Sequence, residues 1–251
     1  MCYNVAYIEQ NIEILEQRYA GIYSTEWNKK SIPKILPIYF FVSGFSHPLL
    51  PIIKHDGIFL YSWGLIPTWV KDEQTAREIQ VKTLNAVGET VFEKASFKKS
   101  ILTKRCLLPV HGFYEWQDYK KLKYPYYIQP KDGSLFSLGC VYENNIDYST
   151  GEVTNTFSIV TTTANPLMEK IHNLKKRMPL IIKREDEKKW IDPHLSVEAI
   201  KNLIQPFDEN KMKAYTISKN ASNSKFDRNV PEIITPHVYS ELSEIIQSRL
   251  F

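Results

Sequence analysis

Cys2 sets a thiol directly behind Met1, and the small side chain at position 2 favours removal of that methionine. Cys2 would then carry a thiol and a free α-amine on adjacent carbons. Together these groups can capture an aldehyde. The amine condenses to an imine, the thiol adds to the imine carbon, and a five-membered thiazolidine ring closes. Such nucleophiles must be deprotonated near neutral pH. Free α-amines titrate near ~7.7–8.0 and thiols near ~8.5, so only a minority of the amine is free at pH 7 without help. Three other stretches hold residues that could supply that help. In Leu84-Asn85-Ala86-Val87-Gly88-Glu89-Thr90, the Asn85 carboxamide could hold a reacting group or cap a following helix. In Arg105-Cys106-Leu107-Leu108-Pro109-Val110-His111-Gly112-Phe113-Tyr114-Glu115-Trp116, strand alternation puts Phe113, Glu115 and Gln117 on one face and Tyr114 and Trp116 on the other. An acid in that aromatic setting is either surface-exposed or held as a general acid/base with a shifted pKa. In Ile171-His172-Asn173-Leu174-Lys175-Lys176-Arg177-Met178-Pro179, an imidazole sits beside a basic run. That combination suits proton transfer close to an anion, or else the run is a solvated face.

The bulk composition limits the context. The chain has 251 residues, 43% hydrophobic and 24% charged, ordinary for a soluble globular protein. An aromatic content of 13% suits a strand-rich core or stacking surfaces. The formal net charge of +4 does not itself indicate nucleic acid, which would require basic residues gathered into one groove. Cys2, Cys106 and Cys140 show no paired spacing, which argues against a disulfide framework or a Cys-x-x-Cys zinc site. No metal or other cofactor is expected. No apolar run approaches the ~18–20 residues of a membrane span, and no signal peptide opens the chain, so the expected location is cytoplasmic.

The positioning elements follow from pattern. Ile12, Leu15 and Tyr19 recur at helical spacing behind Asn11, a suitable N-cap. Strands are predicted at Ile38–Val42 and Ile58–Ser62, and helices over 72–81 and 89–98, the latter with Val91, Phe92 and Ala95 as its apolar stripe. From Arg105 the pattern turns to β, with strands at Cys106–Val110, Phe113–Asp118, Tyr124–Gln129 and Leu135–Tyr142. Asp132-Gly133 reads as the hairpin turn between the last two. A polar loop at 144–155 precedes strand Thr156–Thr163. Then come helix Pro166–Asn173, strand Met178–Ile182, helices at 184–190, 196–204 and 237–249, and strand Ala214–Ser218. The expected architecture is one α+β domain over 2–251, its mainly antiparallel sheet curled like a barrel and flanked by helices, with 183–251 part of the same domain.

The motifs, each weak alone, are specific in combination and order. Met1-Cys2, Trp63-Gly64-Leu65-Ile66-Pro67-Thr68-Trp69, Asn85-Ala86 with Glu89-Thr90, Arg105-Cys106-Leu107 through Gly112-Phe113-Tyr114-Glu115-Trp116, and Ile171-His172-Asn173 with Arg177-Met178-Pro179 together resemble the SRAP family over roughly residues 2–182. These are the SOS-response-associated peptidases, or abasic-site processing proteins. The resemblance implies a DNA-damage protein that binds single-stranded DNA and cross-links to abasic sites through Cys2. The ring-opened deoxyribose supplies the aldehyde. It further implies that Asn85 hydrogen-bonds near the linkage, Glu115 shuttles protons at the α-amine, and His172 assists sugar-ring opening and reversal.

Trp63 and Trp69 could stack on bases or serve as core aromatics. Lys98, Lys99, Lys104, Arg105, Lys175, Lys176 and Arg177 are candidate phosphate contacts. The family's early Arg is absent at Cys2-Tyr3-Asn4, another is replaced by Val87, Val42-Ser43-Gly44-Phe45 stands for its Asn-x-Ala-Pro, and the segment after His172 is lengthened. Lys175 and Lys176 could replace the lost arginines. Autoproteolytic or aminopeptidase removal of Met1 belongs to this reading, and a lyase step is compatible with it. A thiol peptidase acting on other proteins and a non-covalent single-stranded DNA binder stay open as alternatives. A monomer is expected.

Overall fold

The computed structural model describes residues 2–23, 32–146 and 151–242. Five of its strands close into a ring. β3 (Leu49–Lys54) lies between β4 (Gly57–Trp63) and β6 (Arg105–Val110); β6 passes to β9 (Phe136–Ile146), β9 to β10 (Val153–Thr163), and β10 returns to β4. All pairings in the ring are antiparallel except β10–β4, which runs parallel through Thr156–Ser62 and Phe157–Trp63. Closure removes the exposed edge that an open sheet would leave. β5 (Asn85–Val87) and β11 (Arg177–Pro179) add to β10, and β12 (Ile181–Ile182) adds to β9. An open antiparallel sheet lies beside the barrel in the order β13 (Met212–Thr216), β8 (Leu122–Pro130), β7 (Gly112–Tyr119), β1 (Asn4–Tyr7) and β2 (Tyr39–Ser43). The fold is thus α+β with a barrel-like sheet, as expected. The pairing of β13 with β8 ties the C-terminal part into the same body.

The two faces of β7 explain how one strand serves two interiors. Phe113 packs into the main core with Cys2, Val5, Trp63 and Phe157, while Tyr114 packs with Phe41, Tyr127 and Ile217 in a second cluster. Glu115 therefore shares a face with Phe113, as strand alternation predicts.

Six α-helices with both ends among the described residues flank the sheets. α1 (Ile12–Arg18) starts at Asn11, whose side chain accepts from the Glu13 amide, and α2 (Glu73–Lys82) starts at Asp72, which caps Thr75. α3 (Ser100–Thr103), α4 (Pro166–Ile171), α5 (Glu187–Ile191) and α6 (Val197–Leu203) are short. No helix among the described residues is long and apolar enough to cross a membrane.

Several expectations need correction. No helix forms over 89–98. The chain there makes successive turns (Glu93 N to Thr90 O, Phe97 N to Lys94 O), and it buries Val91 and Phe97 while Ala95 stays exposed. Asp132-Gly133 does turn, with Asp132 accepting from the Ser134 amide and Gly133 at φ +74. It links two sheets rather than a hairpin, because β8 pairs with β7 and β13 while β9 pairs with β6, β10 and β12. The run 178–182 breaks at Leu180, whose amide bonds to Val160 O and whose carbonyl bonds to Gly139 N. The helix expected at 237–249 begins at Ser240, and its part beyond 242 lies outside the described residues, as do 147–150 of the polar loop.

Candidate active site

Cys2 leads into β1 and is fully buried. The residues after it are held to the end of β2: the Tyr3 carbonyl accepts from Gly44 N at 2.8 Å, and Asn4 pairs with Ser43. The Cys2 carbonyl accepts from Asn85 Nδ2 at 2.9 Å. Asn85 opens β5, in register with Ile159 of β10, and is 8% exposed. Its Oδ1 has no hydrogen-bond partner among the described residues. Asn85 is thus a strand residue aimed at the chain start, not a helix cap.

Glu115 lies in β7 opposite Tyr126 of β8 and is 4% exposed. Burial raises its carboxyl to about 7. A buried carboxyl is disfavoured in its charged form, so Glu115 exchanges a proton near neutrality. His172 terminates α4, its amide bonding to Met168 O at 2.7 Å. Asn165 accepts from the Met168 amide and Pro166 fills the first helical turn, so both ends of this short helix are set. His172 Nδ1 donates to Arg177 O at 2.8 Å. A carbonyl only accepts, so the ring carries its proton on Nδ1 and presents the Nε2 lone pair. That Nε2 stands 3.8 Å from Glu115 Oε2. Burial, with the Lys175 and Arg177 charges nearby, lowers His172 to about 4. The imidazole is neutral at pH 7, so the contact is not an ion pair.

Burial and then the Glu115 charge push the Cys2 thiol well above its ordinary range, and it is therefore a neutral thiol. Any addition by this sulfur needs a base for its proton, and Glu115 lies near enough for its charge to act on the thiol. The structure thus brings Cys2, Asn85, Glu115 and His172 into one centre. Two braces fix the two halves to each other. Asn173 accepts from Asp118 N at 3.1 Å and donates to Asp118 O at 2.7 Å. Gln117 Nε2 donates to Lys170 O at 3.1 Å. Sequence reading did not assign these roles, although Gln117 shares the Glu115 face by alternation. It also missed Phe45, 55% exposed, whose ring lies 5.2 Å from that of Tyr3 beside Cys2.

The expected DNA contacts divide. Trp63 is wholly buried, stacked on Phe157 at 6.2 Å and donating Nε1 to Leu84 O, so it cannot face a base. Arg105 is also buried: its guanidinium donates to the carbonyls of Ile101, Leu102, Trp190 and Asp192. It closes the C-terminal ends of α3 and α5 and is not a phosphate contact. Arg177 is engaged with Glu89 at 2.5 Å and with Thr161 O, and Lys104 with Glu143 at 2.7 Å. Trp69 is 52% exposed on a turn braced by Asn145, and Lys98, Lys99, Lys175 and Lys176 are exposed. A cavity of about 460 Å³ lies away from the centre, lined by Arg18, Ser137, Glu187 and Phe207 among others. No three His, Cys, Asp or Glu side chains converge on a metal position among the described residues.

The candidate centre thus combines a buried thiol near the chain start, a carboxamide holding its backbone, a titrating carboxyl and a neutral imidazole. The chain belongs to the SRAP family: the family model, SOS response associated peptidase (SRAP), matches residues 1–224. It is 40% identical over 177 residues to "Abasic site processing protein YoqW" of Bacillus subtilis (strain 168), covering 70% of this chain and 75% of that one. It is 27% identical to "Abasic site processing protein HMCES" of Xenopus tropicalis, over 71% of this chain and 57% of that one. A crystal structure of a Bacteroides thetaiotaomicron protein matches with a TM-score of 0.86 and 38% identity, covering 94% of this chain and 100% of that chain.

Proposed function

We propose that this protein processes abasic sites in DNA, capturing them covalently in single strands through Cys2 once Met1 has been removed. The observation that carries the reading is the Asn85 Nδ2 bond to the Cys2 carbonyl, which anchors a thiol within reach of the charge of Glu115, itself faced by His172 at 3.8 Å. The relatives' names supply the substrate class.

The chemistry follows from the proton positions. The His172 Nε2 lone pair takes the hydroxyl proton of the cyclic sugar and returns it to the ring oxygen as the bond from that oxygen to C1′ breaks, opening the C1′ aldehyde. The Cys2 amine adds to C1′, and Glu115 in its acid form protonates the carbinolamine hydroxyl, which leaves as water. The resulting Glu115 carboxylate accepts the thiol proton as sulfur adds to the imine carbon, and the nitrogen becomes the ring amine. One water is released and no electron changes hands. Asn85 keeps the Cys2 carbonyl fixed through both additions. Hydrolytic removal of Met1 by the chain itself, which exposes the Cys2 amine, is part of the proposal. Trp69, Lys98, Lys99, Lys175 and Lys176 are the exposed residues left to hold the strand.

Mixing the protein with abasic single-stranded DNA and separating products under denaturing conditions after heating tests the reading. Wild type should give a stable adduct and Cys2→Ala none. An equal adduct from Cys2→Ala would overturn it, and binding without any adduct would favour a non-covalent binder.

A further inference from the structure

The segment from His172 to Arg177 is a short loop closed on itself. Lys176 N bonds to His172 O at 2.8 Å, and the His172 ring bonds to Arg177 O at 2.8 Å. It is also bolted to its surroundings: Asn173 makes its two bonds to the Asp118 backbone, and Ala164 N bonds to Lys176 O at 3.0 Å. Lys176 adopts φ +48, a left-handed conformation that non-glycine residues hold only where the surrounding structure imposes it. The tip of this fixed loop is apolar and cationic. Leu174 is 71% exposed, exceeded among the large apolar side chains described only by Val238, and Lys175 and Lys176 beside it are exposed. The charge of Lys175 acts on both Glu115 and His172, and Leu174 follows His172 by two residues, so the tip lies near the reacting groups.

An exposed leucine by itself is ordinary. A leucine held rigidly two residues from the imidazole that faces Glu115 is differently placed. We propose that Leu174 is a wedge that enters the gap left by the missing base in an abasic single strand, with Lys175 and Lys176 taking the flanking phosphates. The proposal rests on the abasic-site reading above and names what the site discriminates. In an intact strand an inserted side chain must first separate stacked bases. At an abasic position nothing has to be unstacked, so the apolar contact adds to affinity for the lesion alone. Full burial of one leucine corresponds to about tenfold or more in binding.

The test uses full-length protein carrying Cys2→Ala, so that binding is read without covalent trapping. Fluorescence anisotropy is measured on a single-stranded oligonucleotide with one abasic site and on its intact counterpart, with 2-aminopurine next to the lesion as a second readout. Adding Leu174→Ala should lower affinity for the abasic strand about tenfold and leave the intact strand unchanged. It should also abolish the rise in 2-aminopurine fluorescence that insertion causes by keeping the flanking bases apart. Leu174→Met should restore most of both. An unchanged ratio of abasic to intact affinity, or no preference for the abasic strand in the parent, overturns the wedge. Cross-linking by the protein with native Cys2 is scored separately. Cross-linking with an unchanged ratio sinks the wedge alone; a lost ratio without cross-linking supports the wedge and sinks covalent capture.

Discussion

His172 Nε2 faces Glu115 Oε2 across 3.8 Å without forming the usual ion pair: the imidazole is neutral and the carboxyl titrates at about 7. The Arg177 carbonyl fixes the tautomer, so the lone pair points inward. Near pH 7 the pair therefore offers one exchangeable proton on the carboxyl and one basic nitrogen beside it. Condensation of an amine with an aldehyde needs both.

That arrangement has a signature in stability. Folding raises Glu115 from 4.5 to about 7, so the folded state binds more protons and stability falls as pH rises through that window. Folding lowers His172 from 6.5 to about 4, so the folded state binds fewer protons and stability rises with pH across 4 to 6.5. The two slopes oppose each other between pH 4.5 and 6.5. Denaturant titrations should show Glu115→Gln gaining stability with pH over this range and His172→Gln losing it. The full Glu115 contribution corresponds to roughly 3 kcal/mol. Parallel curves for both variants would contradict the assignment.

Asn85→Ala removes the bond to the Cys2 carbonyl. The rate of adduct formation should fall about tenfold for the loss of one such hydrogen bond. Asn85→Asp should lose more, because a carboxylate oxygen then faces the Cys2 carbonyl. Single-turnover kinetics with abasic DNA, beside a thermal melt showing that the fold persists, measures both. Rates equal to wild type would leave Asn85 a structural residue.

The motifs singled out Cys2, Asn85, Glu115 and His172 as candidates, and the structure sets Asn85 against the Cys2 backbone and His172 against Glu115. Local pattern could not separate Trp63 from Trp69. Both flank the same glycine-proline stretch, but β4 ends at Trp63 where the parallel β10 covers it with Phe157, whereas Trp69 lies on a turn beyond. Arg105 looked like a surface cation because the carbonyls of Trp190 and Asp192 that surround it come from far along the chain. The turn at Asp132-Gly133 was legible and its strand pairing was not, since β8 and β9 pair outward with their other neighbours β7 and β10 and fill their second edges with the more distant β13 and β6.

The corrected basic residues predict contrasting variants. Lys175→Ala with Lys176→Ala should flatten the plot of log K against log salt by roughly 1.4 if both lysines meet phosphates of a single strand. Arg105→Ala should leave that slope alone and cost about 3 kcal/mol or more in stability, since it leaves buried helix-end carbonyls without donors. Anisotropy across a salt series and denaturant unfolding separate the two, and a slope change from Arg105→Ala would refute its structural role.

Intact-mass measurement on protein incubated with a uracil-excised single-stranded oligonucleotide reads covalent capture most directly. One product is expected, with the mass of the chain without Met1 plus the oligonucleotide minus one water, absent from Cys2→Ala and from protein carrying an uncleavable N-terminal extension. A product of that kind on a chain that retains Met1 would contradict that expectation, because an amidated Cys2 nitrogen cannot form the imine.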